Sequence, residues 1–148
     1  MFGPSREQAR QFFFDAWRRY RGGEALSGLE RLAVEVVLEH PEYHALLDAP
    51  ERNLGRDFTP DAGATNPFLH LSLHLAMREQ LAIDQPRGLR AEHDRLVRAL
   101  HSEHDAAHAV LECLGETLWQ AQRLGTGPDE AVYLECLRRQ GRTGEGEG

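Results

Sequence analysis

The chain has 148 residues, enough for one domain with a hydrophobic core, and 41% of them are hydrophobic, which excludes a chain disordered throughout. Its formal net charge of −7 argues against a general nucleic-acid binder, because such proteins carry basic surfaces. All 17 basic residues are arginine, which points to a coding bias and not to a binding function.

Met1 to Arg6 holds no apolar run of the kind that makes a signal peptide. No segment approaches the ~20 apolar residues needed to span a bilayer. The expectation is a cytoplasmic protein. Ser5 and Gln8 then read as a capping box that opens a first helix, and Gly22-Gly23 ends it. Ala9, Phe12, Phe13, Ala16 and Tyr20 make its apolar face, while Phe14 and Trp17 turn toward Arg10 and Arg21. An aromatic–basic patch could hold a partner or nucleic acid. With an acidic chain around it, the patch is read as packing against a second layer of structure.

Ser27 and Glu30 form another capping box, opening a helix with Leu29, Leu32, Ala33, Val36 and Val37 inward. Pro41 closes it, because the residue before a proline avoids the helical region. A short helix from Pro41 to Leu47 follows. His40 and His44 are four apart, but His40 sits at the junction, so the pair is not expected to share an ion. Asp48 to Thr65 is the longest irregular stretch, with Leu54 and Phe58 available to pin it to the core. A loop this long is often functional or a packed excursion.

Asn66 is a good N-cap and Pro67 suits the first helical position. From there to Ile83 nothing breaks a helix. Leu69, Leu73, Met77, Leu81, His70 and His74 fall on one broad face. His70 and His74 lie one turn apart, and two imidazoles in that relation can share a metal ion. The alternative is two core histidines bonded to carbonyls and carboxylates.

Asp84 to Gly88 is a break, and Leu89 to Leu100 a charged helix. His101-Ser102 is either a second break, with Ser102 as N-cap, or the middle of one helix from Leu89 to Leu124; the pattern leaves both open. Ala107, Val110, Leu111, Leu114, Leu118 and Ala121 make one face of the Glu103–Leu124 segment, with His104, His108 and Glu112 along its edge. Gly125 caps it, and Pro128-Asp129-Glu130 opens a last helix to Arg139. Gly141 to Gly148 reads as a disordered Gly/Glu tail. Cys113 and Cys136 are expected as buried free thiols, since a disulfide does not suit a reducing compartment.

Six of the eight histidines form three pairs at spacing four, 40/44, 70/74 and 104/108, where random placement gives about 0.4. Helices carrying His-x-x-x-His and His-x-x-x-His-x-x-x-Glu can face each other in a bundle and enclose a metal. The expected ligands are His70, His74, His104 and His108, with Glu112 and His44 as additions, and a zinc or iron ion as the cofactor. Asp105 and Glu103 could orient these histidines. There is no His-Glu-x-x-His motif, because Asp105 follows His104. No glycine loop to cradle phosphate and no nucleophile elbow occurs, so no nucleotide cofactor is expected. Cys113 beside His104 or His108 is a weak dyad, since a buried helical thiol is usually inert.

Several segments together resemble one family: Phe2-x-Pro4-Ser5-Arg6-Glu7-Gln8, His40-Pro41-Glu42-Tyr43-His44, Thr65-Asn66-Pro67-Phe68-Leu69-His70-Leu71-Ser72-Leu73-His74, Glu103-His104-Asp105-Ala106-Ala107-His108 and Trp119-Gln120-Ala121-Gln122-Arg123. The chain looks like the small bacterial family called domain of unknown function 1841, from Phe2 to about Arg139. The resemblance implies a helical bacterial protein and carries no activity to transfer. The histidine spacing also resembles the ligation of hemerythrin-like helical bundles, as an analogy of chemistry and not of sequence.

The expected fold is all-α, a single helical domain over 1–140 with six or seven helices around a four-helix core. The expected function is metal binding in that bundle, with no reaction specified. The rival is a helical interaction or scaffold module with structural histidines and an exposed apolar patch that includes Phe14 and Trp17. A third reading is a thiol enzyme built on Cys113. No membrane or nucleic-acid partner is expected, and a protein or small-molecule partner and a homo-oligomer stay open.

Overall fold

The structure is a computed structural model that describes residues 6–55 and 66–141. The capping box proposed at Ser5, the central part of the long loop with Phe58, and the Gly/Glu tail beyond Gly141 therefore lie outside the described residues. The all-α class holds. The elements are α1 (Arg6–Arg21), α2 (Gly28–Leu38), a 3₁₀ turn (Pro41–Tyr43), α3 (His44–Leu47), α4 (Pro50–Asn53), α5 (Pro67–Ile83), α6 (Leu89–Leu100), α7 (Glu103–Leu124) and α8 (Glu130–Arg139). The count exceeds the expected six or seven because of two four-residue helices, one of them, α4, in the stretch read as irregular. No helix among the described residues is long and apolar enough to cross a membrane.

Within the stretch drawn as one domain, 1–140, the helices gather into two compact units, Met1–Leu75 and Ala76–Gly148, which divide inside α5. In the first unit the core is built from Phe13, Phe14, Ala16 and Trp17 of α1, Ala33, Val34, Val36 and Val37 of α2, Leu47 of α3, and Phe68, Leu71 and Leu75 of α5. Phe14 and Trp17 are 3% and 2% exposed, so the second-layer reading of the aromatic–basic face is right and they form no surface patch. Arg10 is buried with them, donates to the Leu54 carbonyl at 3.0 Å and lies 4.7 Å from the Phe68 ring centre. The face of α5 is turned in part from the one expected: His74 and Met77 are buried as expected, but Leu69 is 58% exposed, while Phe68, Leu71 and Leu75 are buried. Phe68 against Phe14, with ring centres 5.4 Å apart, decides this rotation, because an aromatic pair buries more area than Leu69 offers.

The entry to α2 follows the sequence. Ser27 Oγ accepts from the Glu30 N–H at 3.2 Å, and Glu30 Oε1 accepts from the Ser27 N–H at 2.9 Å. Arg19 adds an ion pair to Glu30 at 3.1 Å. The Ser27 backbone hydrogen bond, then the charge of Arg19, hold the Glu30 carboxyl below its ordinary range against the opposing effect of burial. A carboxyl with a lowered folded pKa stabilises above its unfolded value, and loses that contribution as pH falls through the folded value. Ser27→Ala is expected to lower stability by about 1 kcal/mol in urea unfolding at neutral pH. Glu30→Gln should destabilise at neutral pH, with a difference from wild type that closes in acid.

In the second unit, Leu89 and Leu96 of α6, Val110, Cys113 and Leu114 of α7, and Tyr133 and Leu137 of α8 are buried. The open question over 89–124 resolves as two helices. His101 takes a left-handed backbone (φ 55°) after α6, and Ser102 caps α7 by accepting from the Asp105 N–H at 3.0 Å. Arg90 closes α5 by donating to the Leu81 and Ala82 carbonyls at 2.7 and 2.6 Å. Arg95 reaches the Leu137 and Gln140 carbonyls at 2.8 and 3.1 Å and ties α6 to the end of α8. Asp129 caps α8 through the Ala131 N–H at 2.9 Å.

The expectation of free thiols fails here. Cys113 and Cys136 form a disulfide between α7 and α8, with Cα atoms 5.7 Å apart. The chain leaves α7 through the left-handed Gly125 before α8 begins, and the two helices hold the cysteines within bridging range. A thiol enzyme built on Cys113 is thereby excluded, since its sulfur is both bonded and fully buried.

Candidate metal centre

The site begins with the end of α2. The last carbonyls of a helix lack intrahelical partners. Pro41 prevents the helix from continuing, and His40 leaves it with φ −127° and ψ 67°. Its ring then folds back, with Nδ1 2.7 Å from the Val36 carbonyl. His44 does the same one turn later, with Nε2 2.8 Å from the Val37 carbonyl. A carbonyl only accepts, so the proton sits on Nδ1 of His40 and on Nε2 of His44. In neutral His40 this leaves Nε2 as a lone pair, directed away from α2.

That lone pair meets α5. His40 Nε2 is 3.2 Å from His70 Nε2. His74, one turn further on, brings its ring centre within 4.6 Å of His40 and 4.7 Å of His70. One ring nitrogen from each of His40, His70 and His74 lies within 4.8 Å of the other two. Among the described residues this is the group of three that could hold a metal ion. His40 and His74 are buried, and half-buried His70 gives the cluster an edge nearer solvent. Tyr43 walls it, its ring parallel to His40 at 5.6 Å and 6.2 Å from His70. Burial, then the charge of Glu42, push the Tyr43 hydroxyl up, so it stays a neutral phenol.

Of the six residues expected as ligands, the structure gathers His70 and His74. His40, set aside because it sits at a helix junction, completes the trio. The junction is what permits this: the break at Pro41 frees the ring to turn toward α5, which a mid-helix position would prevent. His44 is half-buried and engaged elsewhere, with Nε2 on Val37 and its ring 4.6 Å from Trp17. His104, His108 and Glu112 lie on α7 in the second unit and are exposed, the two rings 4.3 Å apart. They are not members of the three-histidine group. The signal for His40 was present in the sequence as His-Pro at a helix end, but spacing alone pairs it with His44.

The fold and the site define an all-helical protein in which two histidines of α5 and one at the junction after α2 come together inside one unit. The chain belongs to the family described as domain of unknown function (DUF1841), whose model matches residues 5–139. No curated protein and no solved structure matches it.

Proposed function

We propose that the protein binds a divalent transition metal, zinc or iron, through His40, His70 and His74. One observation carries this reading: the 3.2 Å separation of His40 Nε2 and His70 Nε2, with the His40 proton held on the opposite nitrogen by Val36. Two ligand nitrogens at about 2.0–2.1 Å from a tetrahedral ion stand about 3.3 Å apart. The Val36 contact is also the usual support of a metal-bound imidazole, since it fixes tautomer and ring orientation. His74 brings the third nitrogen, within 4.8 Å of the other two. Neutral imidazoles suit zinc and iron. Three protein ligands leave a fourth position for water, which such an ion makes more acidic.

Elemental analysis of untagged protein by plasma mass spectrometry tests the reading. Near-stoichiometric zinc or iron is expected in wild type, and loss of it in His40→Ala and His74→Ala. His44→Ala and Glu112→Ala are expected to retain metal within about twofold, because neither belongs to the cluster. Protein that stays metal-free after anaerobic incubation with zinc and with iron contradicts the reading. The three histidines would then be core polar groups, with His70 Nε2–H donating to His40 Nε2.

A further inference from the structure

We propose that the Cys113–Cys136 disulfide is a thiol-exchange site at which low-molecular-weight thiols attack Cys136. The two sulfurs differ in environment. Cys113 is 0% exposed, whereas Cys136 is half-buried and lines an open concavity of about 690 Å³ between α7 and α8. Glu116 and Gln120 of α7 and Val132, Glu135 and Arg139 of α8 are among its other lining residues, so a small solute that enters it meets Cys136. The buried sulfur has the complementary feature. Gln140 Nε2 points an N–H at Cys113 Sγ from 3.5 Å, where it can stabilise charge that develops on that atom.

In thiol–disulfide exchange the attacked sulfur needs access and the departing sulfur needs charge stabilisation. A thiolate forms a new S–S bond with Cys136, the Cys113–Cys136 bond breaks, and its electron pair leaves on Cys113, which takes a proton from water. A second thiol then attacks the sulfur of the adduct, releasing the oxidised small disulfide and the Cys136 thiol. Two small thiols are oxidised and one protein disulfide is reduced. The reverse sequence, driven by a small disulfide, closes the bridge.

The test treats the full-length oxidised protein with 2-mercaptoethanol, quenches with acid, and maps the adduct by peptide mass spectrometry. The adduct is expected on Cys136 in at least tenfold excess over Cys113. The rate should be unchanged by urea too dilute to unfold the protein. Gln140→Leu, which removes the N–H and keeps the bulk, should slow bridge opening several-fold while wild-type helicity persists. Equal labelling of both cysteines, or a rate that climbs with urea in proportion to the unfolded population, would overturn the proposal. So would protein that keeps two free thiols after incubation with hydroxyethyl disulfide.

Discussion

His70→Ala is expected to weaken zinc binding by at least about 100-fold, since removal of a group that merely orients a ligand already costs 10–100-fold. His70 is the member placed against His40 Nε2 at 3.2 Å, so its loss removes the tightest edge of the cluster. It is also only half-buried, so alanine there leaves a smaller cavity than at His74 and the variant should fold. Competition with a chromophoric zinc chelator reads the effect. His70→Ala that binds zinc as tightly as wild type would remove the site from this place in the fold. His40→Ala should match the affinity loss and destabilise as well, because it removes a buried ring and one of the two donors to the Val36 carbonyl, leaving the Glu39 N–H at 3.1 Å.

Trp17→Ala is expected to cost about 3–5 kcal/mol in urea unfolding, the range for truncating a buried tryptophan. Trp17 is 2% exposed in the first unit's core, and Nε1–H donates to Asp48 Oδ1 at 2.8 Å. Its ring lies against Tyr20 and His44, with the Arg21 guanidinium 4.6 Å from its centre. Arg21 also reaches Asp48 at 3.0 Å, so the carboxylate keeps one partner when the indole goes. Trp17→Phe, which loses the hydrogen bond and some volume, should cost about 1–2 kcal/mol. A cost below about 1 kcal/mol for Trp17→Ala would mean that Trp17 does not anchor this core. Because an ion bound to the folded state stabilises it by mass action, saturating zinc should raise the Tm of wild type and of Trp17→Ala alike.

The helices were legible wherever a local rule decided them. Ser27 with Glu30, Asn66 with Phe68 and Leu69, Ser102 and Asp129 are caps whose partners lie within three residues, so the sequence contains both halves of each interaction. The rotation of α5 was not legible, because ten apolar residues on a 17-residue helix leave more than one face to choose from. Contact with Phe14, 54 residues earlier in the chain, makes the choice. The site was half legible for the same reason. His70 and His74 share a helix, so their proximity follows from spacing. His40 joins them through a helix end and a tertiary contact that spacing does not encode. The disulfide was not legible, because the approach of Cys113 to Cys136 depends on the packing of α7 and α8, which spacing does not encode.

X-ray absorption at the zinc edge of reconstituted protein tests the central claim most directly. The account predicts a first shell containing three imidazole nitrogens at about 2.0–2.1 Å, and a His40→Ala variant that, taken through the same reconstitution, no longer gives that three-imidazole spectrum. A zinc spectrum with no imidazole scattering, or one unchanged by His40→Ala, would contradict a centre formed by His40, His70 and His74.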